Sequence, residues 1–269
     1  MSSKRLTQGQ SKYTPLKQAG LGSVLGMNMK LVQKVFENNP YCPRKYFHID
    51  LTAGCGLNEE YETDGSPLIF RKTLHGHMDY RAFFCDMKNE SCKKLKRYFE
   101  GDRKSFIFCG DYASFLTIAP NLIASPQVIG FKQNPEYAYG TVYLDPNGPK
   151  LISDGMQQLA EFFSVCPRMD FVVNISATAL KRTSHFGWSY TLQDLMQTVN
   201  KEHWQIKAVN PGDRWQWTIL VGRNRKYSGW KREGFYEVGS PEGKLILDGL
   251  NSKGKPAFYQ PQQLELALV

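Results

Sequence analysis

The chain has little histidine and no stretch of apolar residues long enough to cross a bilayer. Of 269 residues 5 are His and 6 are Cys, and no run approaches the ~18 apolar residues of a membrane-spanning helix. The N-terminal Met1-Ser-Ser-Lys-Arg-Leu-Thr-Gln-Gly lacks the apolar core of a secretory signal. No membrane role is expected, and a cytoplasmic location is. The cysteines (Cys42, Cys55, Cys85, Cys92, Cys109, Cys166) form no Cys-x-x-Cys pair, and several stand inside apolar runs such as Ala82-Phe-Phe-Cys-Asp. They read as reduced core thiols. His75 and His77 with Cys85 or Cys92 match no usual zinc spacing, so no metal is expected. A disordered chain is excluded as well, because 41% of the residues are hydrophobic, enough for a sizeable core. The length suits one large α/β domain with short appendages.

Acid is scarce in two blocks of the chain. The formal net charge of +9 divides unevenly: residues 1–45 carry 8 Lys+Arg against 1 acid, 46–180 carry 13 against 16, 181–232 carry 10 against 3, and 233–269 carry 3 against 5. A mildly acidic middle between two basic blocks points to a polyanion on one face, since clustered Lys and Arg gain by releasing counterions from phosphates. A plain solvated basic surface gives the same arithmetic.

The spacing divides the chain into a flexible basic arm (1–25), an α/β domain (26–224) and a basic, aromatic extension (225–269). Met27, Leu31, Val32, Val35 and Phe36 recur at helical spacing up to the breaker Asn38-Asn39-Pro40. After them a short apolar run closing on Gly, Asp or Asn, then usually a helical segment, repeats. The seven runs begin at Tyr46, Arg81, Ser105, Gly140, Met169, Trp204 and Trp215, with helices expected over Cys92–Glu100, Asp154–Ser164 and Leu192–Glu202. Only Asn210-Pro-Gly-Asp-Arg separates the last two runs. The expected sheet is therefore parallel except for a terminal antiparallel hairpin.

In an open α/β sheet, ligands bind at the carboxyl ends of the strands. The first run ends in Asp50-Leu-Thr-Ala-Gly-Cys-Gly, the second at Asp86, the third at Gly110-Asp111-Tyr112 and the fourth at Asp145-Pro146-Asn147-Gly148. Asp is a common turn former, but four consecutive strands ending on it is a pattern turns alone rarely produce. Asp86 is placed to accept two ribose hydroxyls, and Asp111 to accept an exocyclic amine. The 36 residues from Asp50 to Asp86 exceed the ~20 of a dinucleotide fold, whose third glycine is also missing. A phosphate-free nucleoside cofactor is expected instead.

These motifs together resemble the class I S-adenosylmethionine-dependent methyltransferases, which have a Rossmann-like fold. More narrowly, Ile49-Asp-Leu-Thr-Ala-Gly-Cys-Gly, Gly65-Ser-Pro-Leu-Ile, Leu144-Asp-Pro-Asn-Gly, the strand leading to Leu180-Lys-Arg, and Gly239-Ser-Pro-Glu-Gly-Lys-Leu-Ile-Leu-Asp-Gly-Leu-Asn resemble the three-Cys-motif partner proteins over residues 46–252. The resemblance implies S-adenosylmethionine as cofactor. It implies that Asp50, Ala53, Gly54 and Gly56 hold the methionine part, Asp86 the ribose, and Asp111 with Tyr112 the adenine. Asp145, Pro146 and Asn147 stand where amino-methyltransferases keep an acid or amide, two prolines and an aromatic that stacks on a flipped base. Asn147 replaces the second proline and Gly148 the aromatic, leaving Tyr112, Tyr143 or Trp188 to supply a stacking face. Asp145 is the expected polar acceptor.

Arg223, Arg225, Lys226, Lys231 and Arg232 interleave with Tyr227 and Trp230, a pairing suited to phosphates and exposed bases. With Lys181 and Arg182 they are expected to form a nucleic-acid surface, DNA before RNA, on the same rim as the cofactor. Gln263, Leu264, Leu266 and Leu268 resemble the peptide by which bacterial DNA-handling proteins dock on the replication sliding clamp. An alternating Leu tail also suits an edge strand. Three functions follow: a nucleic-acid methyltransferase, a catalytically silent cofactor- or DNA-associated protein on that scaffold, or a small-molecule methyltransferase.

Overall fold

The computed structural model of the protein describes residues 14–39, 42, 44–58, 62–146, 154–176, 192–209 and 217–251. All seven expected strands form: β1 (Tyr46–Asp50), β4 (Tyr80–Asp86), β5 (Ser105–Cys109), β6 (Tyr139–Leu144), β7 (Met169–Ser176), β8 (His203–Val209) and β9 (Trp217–Arg223). A short β10 (Tyr236–Glu237) joins them in one sheet of order β10-β8-β9-β7-β6-β1-β4-β5. The strands β5, β4, β1, β6 and β7 run parallel. β9 is reversed and inserted between β7 and β8, and β10 runs antiparallel to β8 at the edge. This is an α/β, Rossmann-like sheet whose strand order reverses between β1 and β6. Every residue of β1 and β6 is buried, because helices cover both faces of a parallel sheet.

The two-residue period of the strands sorts their side chains into two cores. Phe47 and Ile49 face one core with α4 (Tyr112–Ala124), α6 (Met156–Val165), α7 (Leu192–Val199) and α8 (Pro241–Asn251). Tyr46 faces the other, with α1 (Thr14–Asn38), α2 (Ser66–Leu74) and α3 (Asn89–Tyr98). The short α5 (Pro126–Ile129) follows α4.

Two boundary expectations are corrected. Residues 14–25, expected in a flexible arm, are helical and bury Leu21, Val24 and Leu25; residues 1–13 lie outside the described residues. The absence of a side chain at Gly20 lets this helix approach the sheet, since a Cβ there would lie 2.6 Å from Ile219 Cδ1. At the other end residues 228–251 are not outside the fold. They form a 3₁₀ turn, β10 and α8, with Ile246 and Leu247 in the core.

The long Asp50–Asp86 separation has a structural cause. The crossover helix α2 starts only at Ser66, after an antiparallel ribbon of β2 (Leu57–Asn58) and β3 (Thr63–Asp64). The ribbon closes on itself where Gly65 N–H donates to Gly56 O at 2.6 Å. A Cβ on Gly65 would sit 2.8 Å from that same oxygen, so the pinch requires glycine. It returns the start of α2 to the end of β1, beside Asp50.

Candidate active site

The loop after β1 is tied to its neighbours by main-chain hydrogen bonds. Leu51 N–H donates to Tyr143 O and Ala53 N–H to Cys85 O, both at 2.9 Å. Gly54 and Gly56 have φ of +65° and +89°, which glycine adopts without strain. Asp86 holds the turn in place: its Oδ2 accepts Gly54 N–H at 2.9 Å and its Oδ1 accepts Lys88 N–H at 2.8 Å. Four lone-pair sites on a carboxylate leave room for ligand hydroxyls as well.

Asp50, the last residue of β1, is fully buried. Its Oδ1 accepts Thr52 N–H at 3.1 Å, while its Oδ2 is buried without a hydrogen-bond partner. Burial, reinforced by the charges of Asp145 and Asp86, pushes its carboxyl up to about 7 against the opposing Ser66 and Thr52 hydrogen bonds. An orphaned carboxylate oxygen of this kind fits an incoming N–H donor such as an ammonium group.

The same shift has a pH signature. The unfolded carboxyl ionises near 3.8 and the folded one near 7, so between these values the native state keeps a proton that the unfolded chain has released. Stability falls through that window and levels off above it, by a few kcal/mol in order of magnitude. Asp50→Asn is expected to flatten this part of the profile and to be more stable than wild type above pH 7. Urea unfolding at several pH values checks it; parallel profiles would refute it.

Asp111 caps α4. Its Oδ1 accepts Ser114 N–H at 2.8 Å and its Oδ2 accepts Ser114 Oγ–H at 2.7 Å, and these bonds hold its carboxyl below the usual range. Tyr112 is less available than expected: its ring is buried and its hydroxyl accepts the N–H of Gly155.

Asp145 follows β6 directly. Its N–H donates to Thr52 Oγ1 at 2.8 Å. Its carboxylate is already engaged: Lys17 Nζ of α1 lies 3.2 Å from Oδ1 and 2.9 Å from Oδ2, and Asn174 Nδ2 of β7 donates to Oδ1 at 3.0 Å. Lys17 Nζ also sits 3.8 Å from the centre of the Trp217 ring, at the start of β9. Asn174 is 2% exposed and its Oδ1 is buried with no partner, so Asp145 and Asn174 present two acceptors side by side. Lys17, Ser66, Asn174 and Trp217 are neighbours that the sequence reading missed. Two signals were in the sequence: Ser66 inside the motif Gly65-Ser-Pro-Leu-Ile, and Asn174, a lone amide inside the apolar run Phe171-Val-Val-Asn-Ile.

The structure thus gathers Asp50, Ala53, Gly54, Gly56, Asp86, Asp111 and Asp145 at the carboxyl ends of the parallel strands. Pro146 is buried beside them. Asn147, Gly148, Lys181, Arg182, Trp188 and the terminal peptide Gln263–Leu268 lie outside the described residues. Tyr143 cannot offer a stacking face, since it is buried in the sheet.

The expected basic surface is corrected in two ways. Trp230 is fully buried against Phe235, and Arg223 is 3% exposed and ion-paired with Asp170. Neither is free for a nucleic acid. The rim is also the other one. β9 runs antiparallel, with Trp217 opposite Ser176 and Gly222 opposite Phe171, so residues 223–232 emerge at the amino ends of the parallel strands. Arg225, Lys226, Lys231 and Arg232 are exposed there, and Tyr227 is half-buried.

No protein-family model and no curated protein matches the chain. Solved structures similar to it include a Legionella pneumophila protein, 14% identical, TM-score 0.49, covering 87% of this chain and 93% of that one. Others are an rRNA methylase from Streptococcus thermophilus (7%, TM-score 0.39, 74% and 95%) and a Streptococcus mutans structure in complex with SAH (9%, TM-score 0.40, 79% and 98%). Among the described residues no helix is long and apolar enough to cross a membrane.

Proposed function

We propose that the chain is an S-adenosylmethionine-dependent methyltransferase, with the cofactor over the carboxyl end of β1. The observation that carries this is the set of acids at the strand switch point, above all the buried, partnerless Oδ2 of Asp50. The cofactor supplies an already activated methyl group, so positioning and a proton acceptor are the main demands on the protein. Asp50 and the Ala53–Gly56 loop would hold the methionine part, Asp86 the ribose and Asp111 the adenine. Asp145 and Asn174 would receive N–H groups of the acceptor. We take that acceptor to be a base amine of a nucleic acid, DNA first, because Asp145-Pro146 stands at the amine-methylating position and Lys181-Arg182 follows β7 in sequence.

The second reading, a silent scaffold acting by interaction, is favoured by the Lys17–Asp145 ion pair and by Asn147-Gly148. Calorimetry with S-adenosylmethionine comes first, then transfer to DNA, RNA and small amines. Wild type is expected to bind, and Asp86→Ala to bind about 10- to 100-fold more weakly, because it removes charge-assisted hydrogen bonds to the loop and the ribose. Absence of binding by wild type defeats the cofactor assignment; binding without transfer supports the silent reading.

A further inference from the structure

The amino-terminal rim, opposite the candidate site, holds an unusual charge arrangement. Four of its cations are matched by carboxylates. Lys45, Arg81 and Lys104 share Asp79 at 2.9, 3.6 and 3.0 Å, and Arg223 pairs with Asp170. Arg168, just before β7, and Arg225, just after β9, differ. Both guanidiniums converge on one neutral atom: Arg168 Nη1 donates to Tyr139 Oη at 2.6 Å and Arg225 Nη2 donates to it at 3.1 Å. Among the described residues no carboxylate lies within ion-pair distance of either.

Aromatic rings hold the two guanidiniums in place. Arg168 lies 4.3 Å from the Tyr137 ring centre and 5.6 Å from that of Tyr139, and Arg225 lies 5.3 Å from the latter. Two like charges fixed around a phenol repel one another, and an anion accepting from both relieves that repulsion. Among the described residues the rigid forks keep donors beyond these contacts, since one oxygen cannot take all five N–H groups of each.

We infer that Arg168, Arg225, Tyr137 and Tyr139 form a phosphate cradle that anchors the backbone of a nucleic acid on the rim away from the candidate active site. A polynucleotide suits it better than free phosphate for two reasons. Lys226, Lys231 and Arg232 extend the exposed positive charge beyond the pair, and Tyr137, 42% exposed, offers a face on which a base can stack. This anchoring stands apart from the proposed methyl transfer, and its test needs no cofactor.

Fluorescence anisotropy with a labelled single-stranded oligonucleotide and a labelled duplex, across a salt series, tests it. Arg168→Gln/Arg225→Gln is expected to weaken binding at least about tenfold at low salt and to lower the log–log salt slope by about 1.5 to 2, the loss of two phosphate contacts. Arg168→Lys/Arg225→Lys should keep most of the slope. Arg225→Gln alone, an exposed change, should give about half the slope effect and serves if the double variant fails to fold. Lys93→Gln/Lys96→Gln removes the same charge from exposed positions of α3 and is expected to leave binding near wild type. An equal loss in that control, an unchanged slope in the arginine variants, or wild type that takes up inorganic phosphate in calorimetry but no oligonucleotide each overturns the assignment.

Discussion

Asp145→Asn is expected to lower methyl transfer by about 10²- to 10⁴-fold, the usual worth of a positioned proton acceptor, while cofactor affinity stays within about twofold. The amide keeps the shape of the carboxylate and an oxygen for Asn174, but loses the charge that draws a proton from an attacking amine. The Lys17 partner makes the test sharper. An ammonium 3.2 Å from Oδ1 and 2.9 Å from Oδ2 competes for the lone pairs that an incoming amine would use, so Lys17→Met should retain or exceed wild-type transfer. Its cost falls on stability, about 1–3 kcal/mol, for a pair in which Lys17 is 8% and Asp145 27% exposed. Chemical denaturation and a radiolabelled methyl-transfer assay on the same preparations separate the two effects. Wild-type transfer by Asp145→Asn removes Asp145 from the mechanism.

Gly140→Ala should be the most damaging single change in the sheet. Gly140 has φ +148° and pairs with Phe47 across β1 and β6, where an added Cβ would lie 1.7 Å from Phe47 O and 2.6 Å from its carbonyl carbon. Those atoms are ladder backbone at the centre of the molecule and cannot step aside as a side-chain tip can. The expected loss exceeds about 4 kcal/mol, much of the ~5–15 kcal/mol that holds a domain together. Such a loss lowers the Tm by about 8–16 °C or yields insoluble protein. Gly54→Ala is the control, because a Cβ there meets nothing within 4 Å and only the strain of its positive φ, about 1 kcal/mol, remains. A Gly140→Ala protein as stable as wild type would contradict the β1–β6 pairing.

The strands and the acids at their ends were legible because buried parallel strands read as continuous apolar runs and a turn must follow each. The first turns of α1 were not. Gly20, Gly22 and Ser23 look like a linker in sequence, yet small residues let a helix lie close to a sheet, as Gly20 does over Ile219. α4 was hidden by Pro120 within it, a residue that usually ends helices. The basic run 223–232 misled through composition. Its alternation of Arg and Lys with Trp and Tyr suggests one exposed strip, but Trp230 is core, and an antiparallel β9 must deliver whatever follows it to the far rim. The short Asn210–Arg214 connection already implies that reversal. The Lys17–Asp145 pair was beyond reach, since 128 residues separate its members and no local pattern joins them.

The pinch between Gly56 and Gly65 makes the β2–β3 ribbon a closed excursion from the path between β1 and α2. The chain leaves and re-enters at adjoining residues, Leu57 and Asn58 pack into the fold and Asp64 pairs with Lys72, so insertions are expected to be tolerated best between the two strands, at positions 59–62. It springs from the carboxyl rim, next to the candidate site. A descendant of this protein could change what it meets there by rewriting one small hairpin and leave the sheet untouched.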